Sequence, residues 1–247
     1  TIFIMEFKKY NDIENSFNKE IMDKFRFALA DQGKTNQLFV VQEKVHGSNS
    51  SFLTDGQTIE FGKRTAKVAQ GENFYDQNEL IERYHDRVIN LFNLIKAQYP
   101  EIAEVQAYGE FFGGTYPHPD VEKVKNVKVI QKGVFYSPTH EFYGFDIRLW
   151  TGEESRLLPV DEVNKFFTET GIFYAKTLLE GTLDECLAYP NLFNSKIPEW
   201  LGLPPIEDNT CEGVVIRPKE PLYMGNGERI IIKNKNAKFS EKKAKKN

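Results

Sequence analysis

Cysteine is nearly absent from this chain. Cys186 and Cys211 are the only two in 247 residues. They show no CxxC spacing and have no histidine-rich partner segment, which excludes a disulfide framework and leaves no zinc-ligand pattern. Both are expected to be reduced thiols in the core or near a site. No apolar run reaches the roughly 18–20 residues of a membrane-spanning helix. The opening TIFIMEFKKY also lacks the apolar segment and cleavage site of a secretory leader, so the work is expected to be intracellular and away from membranes. The pattern GxxxxGK[ST] is missing too, which removes the P-loop route to a nucleotide. There is no internal repeat and no low-complexity linker before the terminal lysines.

What remains is a globular composition, with 40% apolar and 28% charged residues, twenty Phe and eleven Tyr. The length suits one large domain with a small appendage. A formal charge of −4 argues against a broad nonspecific nucleic-acid binder, but the charge is unevenly spread: the last fifteen residues carry +6 and the preceding 232 about −10. Residues 1–239 are read as the folded domain and 240–247 as a lysine-rich tail or linker.

LFVVQEKVHGSNSSFLTDGQTIEFGKRT has the form of an antiparallel pair. Leu38 to Val41 are strand formers, Asp55-Gly56 supplies a tight turn, and Ile59 and Phe61 alternate with polar neighbours on the return. EKVHG and GKRT are therefore expected to face one another. Leu80, Tyr84, Val88, Leu91 and Ile95 form a helical stripe that Pro100 ends. AEVQAYGEFFGG, HEFYGFDIRLW, CEGVVIRP and ERIIIKNK read as strands, and LPVDEVNKFFTETG and TLDECLAY as amphipathic helices. The pattern predicts an α+β fold of mixed, mainly antiparallel sheets flanked by helices.

Five of the strand-like runs embed a charge where a buried apolar residue is expected: Lys44, Glu110, Asp146, Glu212, and the pair Lys233 and Lys235. Any one alone fits the wet face of a strand, but five together point to a site, because unpaired buried charges are costly. Lys233 and Lys235 share a strand face, which suits a polyphosphate. The three carboxylates are the hard oxygen donors that magnesium favours. Among other cations, a lysine such as Lys44 can become a nucleophile. The electrophile that fits lysines, Arg64 and magnesium is the α-phosphate of a nucleoside triphosphate. Gly47 is expected to let the backbone approach the nucleotide closely.

The ordered set EKVHGSN, GKRT, YGEFFGG, FYGFDI, EGVVIRP and IIIKNKNAKF resembles the ATP-dependent RNA ligases of the covalent nucleotidyltransferase superfamily. These include the phage double-strand RNA ligase and the kinetoplastid RNA-editing ligases. The resemblance runs from KKYNDIEN to the tail and implies an adenylyltransferase domain of the nucleotidyltransferase (ATP-grasp-like ligase) fold. It implies that Lys44 forms the covalent lysyl-AMP and that Glu43 and Val45 flank the adenine through their backbones. His46 and Asn49 would assist at the phosphates or metal, and Lys63 and Arg64 would contact the nucleotide or the RNA 5′-phosphate. Glu110 would hold the ribose and Phe145 would stack on adenine, with Asp146 beside it on the opposite strand face if the extension is regular. Glu110 and Glu212 are the metal candidates. Arg217 would sit near the base, Lys233 and Lys235 would bind the α-phosphate, and Asn11, Asp12 and Ile13 would close over the adenine. Ser48 stands where relatives commonly have threonine and keeps the hydroxyl.

The implied cofactors are ATP, whose AMP is carried on Lys44, and Mg2+ or Mn2+. The implied partner is RNA with 5′-phosphate and 3′-hydroxyl ends, at nicks in a duplex. SEKKAKKN resembles a linker toward a separate RNA-binding domain, whose role a partner protein could also fill. Two rival readings stand beside this one. A DNA ligase or GTP-using capping enzyme shares the lysine chemistry but usually has an acidic residue where this chain has His46. A noncatalytic nucleotide- or RNA-binding module would retain the pocket without the reaction.

Overall fold

The computed structural model describes residues 4–240. The lysines expected to form the tail, Lys242, Lys243, Lys245 and Lys246, lie outside the described residues. In chain order the strands are β1 (Glu14–Asn15), β2 (Phe39–Lys44), β3 (Ser48–Thr54), β4 (Ile59–Gly62), β5 (Glu104–Thr115), β6 (Ser137–Thr151), β7 (Glu154–Leu157), β8 (Leu179–Gly181), β9 (Gly213–Pro218) and β10 (Ile232–Lys235). The helices are α1 (Lys19–Asp31), α2 (Gln77–Gln98), α3 (Val160–Thr170), α4 (Leu183–Leu187) and α5 (Ile197–Trp200). The chain forms two compact units, each with its own five-stranded sheet.

The first unit takes residues 4–11, 46–176 and 197–206. Its sheet runs β4-β3-β5-β6-β7 and is antiparallel throughout. The stripe Leu80, Tyr84, Val88, Leu91 and Ile95 of α2 is buried against it, and Phe166 and Phe167 of α3 join the same core. Helix α2 stops at Gln98, two residues before Pro100, as the ring's missing N–H requires. Residues 5–10 are strapped to β5 through side chains. Glu6 N–H donates to Glu104 Oε1 (2.9 Å), Lys8 N–H to Gln106 Oε1 (3.1 Å), and Gln106 Nε2 returns a bond to the Lys8 carbonyl (3.1 Å).

The second unit takes residues 12–45, 177–196 and 207–240, and its sheet runs β1-β10-β9-β2-β8. The single parallel pairing is β1 with β10. Phe39, Val41, Val214, Ile216 and Ile232 cover one face, on which Phe25 of α1 and Leu183 of α4 pack. The periodicity reading places no helix at Lys19–Asp31. One forms there because Asn18 caps it, its Oδ1 accepting from Ile21 N, and Met22, Phe25 and Leu29 turn inward.

The long antiparallel pair expected from Leu38 to Thr65 is corrected in one respect. The partner of Ile59–Gly62 is Ser48–Thr54, with Ser51 opposite Gly62. Phe39–Lys44 pairs instead with β8 and β9. The first five residues of that run are buried, so it needs a strand on each side, and the second unit supplies both.

Candidate active site

In the second unit the charges meet at one end of the sheet. Register explains why: Gly213 is the cross-strand partner of both Lys44 on β2 and Lys235 on β10. Glu212, one residue earlier, therefore lies between the two ammonium groups. Its carboxylate is 3.3 and 3.4 Å from Lys44 Nζ and 3.4 Å from Lys235 Nζ. These contacts are longer than the ~2.7–2.9 Å of a tight charge-assisted bond, and the carboxylate side chain is only 3% exposed. Glu212 was expected inside a strand but precedes β9, since Gly213 takes a φ of +147° and turns the backbone. Lys233 is two residues before Lys235 on the same strand face and is half-buried.

Glu43, just before Lys44, has its side chain fully buried. It accepts from Ser195 Oγ and from Lys196 N–H, both at 2.7 Å. Burial pushes its carboxyl up to about 7, against the lowering effect of those donors. Residues 190–196 are stitched to the same sheet. Asn191 Nδ2 donates to Asn234 Oδ1 (3.0 Å), and Asn236 Nδ2 donates to the Cys211 carbonyl (2.6 Å) and the Asn191 carbonyl (3.0 Å). Sequence reasoning missed Ser195, Lys196, Asn191 and Asn236; a run dense in Asn and Ser, PNLFNSK, was the available signal. Arg217 on β9 is fully buried, as is Val45, while Asp12 is exposed and Ile13 half-buried. Cys186 and Cys211 are free and buried, and burial pushes both thiols up to about 11, so they are inert at neutral pH.

The Glu43 clasp gives a pH prediction. An unfolded glutamate titrates near 4.5 and the folded one near 7. Its contribution to stability is complete below about 4.5, is lost as the pH climbs to about 7, and is flat above; the loss is at most roughly 3 kcal/mol. Glu43→Gln keeps an acceptor and does not ionise. The drop in melting temperature between pH 5 and pH 8 is therefore expected to be smaller in the variant, and an equal drop in both proteins would remove Glu43 as its source.

In the first unit Asn49 and Glu110 are cross-strand partners on β3 and β5, both half-buried. Glu110 Oε1 accepts from Gly47 N–H (3.2 Å), and His46 N–H donates to the Tyr136 hydroxyl (2.9 Å). Gly47 is needed for a reason closer than a nucleotide: a Cβ there would stand 2.3 Å from the Phe111 carbonyl of β5. Phe145 sits where the β5–β6 register slips, since Tyr108 pairs with Asp146 but Gly109 with Gly144. The extension is not regular at this point; the extra residue is a bulge, a device that re-aims a side chain. Asp146 is fully buried and accepts from the Tyr10 hydroxyl (2.8 Å), and the Tyr10 ring lies 5.0 Å from that of Phe145. Asn11, half-buried, follows directly. Lys63 is paired with Glu72 at 2.6 Å, and Arg64 is exposed in the turn after β4.

Among the described residues no group of three or more His, Cys, Asp or Glu side chains stands together to hold a metal ion. Glu110 and Glu212 are single carboxylates in different units. Either one, as a lone carboxylate, fits an ion that arrives with phosphate oxygens and keeps its waters, as magnesium does, and does not fit an all-protein cage.

Lys44 and Lys235 converge on one carboxylate at a sheet end, beside the EKVHG run, and the chain belongs to the RNA ligase family, whose model matches residues 37–235. It is 33% identical to the mitochondrial RNA-editing ligase 1 of Trypanosoma brucei brucei over 87% of this chain and 53% of that protein. It is 28% identical to the mitochondrial RNA-editing ligase 2 of the same organism over 85% and 55% respectively. The chain spans about half the length of these curated relatives. Among solved structures, a Naegleria gruberi RNA ligase variant with ATP and Mn matches at a TM-score of 0.58 and 15% identity, covering 96% of this chain and 57% of that one. A second Naegleria variant, with AMP and Mn, matches at 0.55 and 14%, covering 96% and 58%. The expected fold of mainly antiparallel sheets with helices is thereby established. Among the described residues no helix is long and apolar enough to cross a membrane.

Proposed function

We propose that this chain carries the adenylyl-transfer chemistry of an ATP-dependent RNA ligase. The observation that carries the reading is the convergence of Lys44 and Lys235 on Glu212 across Gly213. A lysine amine held only by long contacts and a second cation at one sheet end suit attack on an α-phosphate. Lys44 attacks as the neutral amine: an N–P bond forms, the bond to the bridging oxygen breaks, and pyrophosphate leaves. The Lys44–Glu212 pair must open first, and its long contacts favour that. Lys233 and Lys235 stabilise the charge on the phosphoryl oxygens. The AMP then passes to an RNA 5′-phosphate, and a 3′-hydroxyl displaces it to leave a phosphodiester; both steps are in-line substitutions at phosphorus.

The remaining roles follow the family motifs. Phe145, aimed by its bulge, stacks on adenine, and Asn11, Asp12 and Ile13 close over it, with the backbone of Glu43 and Val45 at its edge and Arg217 nearby. Glu110 holds the ribose beside Asn49 and His46, and Lys63 and Arg64 meet the phosphates of nucleotide or RNA. Asp146 holds Tyr10 against Phe145 as a positioning residue. Magnesium or manganese, with Glu212 or Glu110 as a carboxylate donor, supplies charge neutralisation at the triphosphate when bound. Nicked duplex RNA is the proposed substrate, sealed efficiently only with a further RNA-binding domain or partner.

The test is incubation with ATP labelled at the α-phosphate and magnesium, followed by denaturing electrophoresis. Covalent label from ATP but not GTP, transferred onto 5′-phosphorylated RNA in preference to DNA, is expected. No label on pyrophosphate-stripped protein would sink the reading.

A further inference from the structure

The first unit contains a cavity of about 460 Å³ that none of the residues assigned above lines. Its walls include Asn73, Tyr75 and Asp76, at the entry to α2, together with Asn126, Lys128 and His140. We infer that this cavity is a subsite for one nucleotide of the RNA strand, its base stacked on Tyr75 and its phosphate held by Lys128, an inference that rests on the RNA ligase reading.

Four observations carry it. First, the volume falls in the ~300–1,000 Å³ range of small-ligand pockets. Second, the Tyr75 ring is pre-positioned: the rings of Phe74, Phe111 and His140 meet it nearly at right angles, at 69°, 84° and 90°. Its π-face already attracts a cation, since Lys128 Nζ is 5.8 Å from the ring centroid. A face that holds an ammonium also stacks a base, and the displaced ammonium then pairs with the attached phosphate. Third, Tyr75, Asp76 and Asn126 have φ of 50°, 55° and 62°, and Asp208 is the one other non-glycine residue with positive φ among those described. A tyrosine is rarely left there unless the surroundings hold it, and such strain collects at functional positions. Fourth, residues 121–135 carry four lysines against one glutamate in a chain of net charge −4, which is the local reversal expected where a polyanion passes. Asp76 on the rim keeps the phosphate to the Lys128 side; Asn73 Oδ1 accepts from Asp76 N–H (2.7 Å), so its Nδ2 and the Asn126 amide are the groups offered to base edges.

The experiment is fluorescence anisotropy of a labelled, 5′-phosphorylated oligoribonucleotide with the full chain at several salt concentrations. Lysyl-AMP formation and melting temperature are measured on the same samples. Lys128→Ala is expected to weaken binding evenly across RNA sequences and to lower the slope of log affinity against log salt by about one. Tyr75→Leu is expected to weaken binding by roughly 5- to 100-fold, and Tyr75→Phe to restore it. Self-adenylylation should be unchanged in all three. If Tyr75→Leu does not fold, Asn126→Gly tests the same cavity, because glycine tolerates that backbone and removes only the amide. Wild-type affinity and salt slope in folded Lys128→Ala and Asn126→Gly would overturn the subsite. So would a wild-type protein that self-adenylylates but does not bind the oligoribonucleotide, which leaves the nucleotide chemistry standing. Absence of label on the wild type instead strikes the ligase reading itself.

Discussion

Lys44→Ala is expected to carry no covalent AMP, a loss of at least about 10³-fold in adduct formation, while remaining folded. The chemistry is lost because no other atom of residue 44 can form the phosphoramidate. The fold survives because Glu212, which Lys44 meets at 3.3 Å, keeps Lys235 at 3.4 Å, so the buried carboxylate retains a cation. Stability should change by no more than about 1–2 kcal/mol. Lys44→Arg should fail as completely, since a guanidinium does not lose its proton in a protein and cannot attack. Lys235→Ala leaves the nucleophile but removes a cation from the transferred phosphate, so adduct should form slowly rather than not at all. Mass mapping after labelling with α-labelled ATP separates these cases. An adduct that persists in Lys44→Ala and maps to Lys233 or Lys235 would move the nucleophile to β10.

Much of this was legible in the sequence where the signal is local. Helix α2 shows because five apolar residues recur at helical spacing, and the strands show because β-branched and aromatic residues alternate around fixed charges. The charges Lys44, Glu212, Lys233 and Lys235 stand out because an apolar run makes a lysine or glutamate improbable without a partner. What stayed hidden depends on non-local pairing. Nothing within LFVVQEK says that its partners are β8 and β9 rather than the next strand, because sheet membership is fixed by residues more than a hundred positions away. The bulge at Phe145 is likewise a property of two strands in register and not of FYGFD alone. The segment 190–196 reads as an ordinary polar loop until the buried Glu43 carboxylate is seen to need Ser195 and Lys196. Asp146 shows the opposite case: its position drew attention as a charge for chemistry, and its carboxylate is fully buried against the Tyr10 hydroxyl.

Gly213→Ala is expected to be the most damaging single-methyl change in the second unit. The glycine has φ +147°, where an L side chain is strained whatever space surrounds it. The added Cβ would also stand 2.2 Å from the Asn234 carbonyl oxygen and 2.8 Å from the Lys235 Cα. Both obstacles are backbone of the neighbouring strand, so no rotamer relieves them and β9 must move away from β10. A cost of about 3 kcal/mol or more follows, read as a fall in melting temperature of roughly 6–12 °C. The functional loss should exceed the loss of stability, because residue 213 is opposite both Lys44 and Lys235 and its displacement separates Glu212 from one of them. Gly152→Ala is the control: φ there is +72°, but no atom lies within 4 Å of the added Cβ, so only the backbone strain of about 1 kcal/mol remains. Equal melting temperatures for the two variants would mean that β9 and β10 yield easily at this point. Normal self-adenylylation by folded Gly213→Ala, measured well below its melting temperature, would show that the shared register of Lys44 and Lys235 is not what sets the reactive geometry.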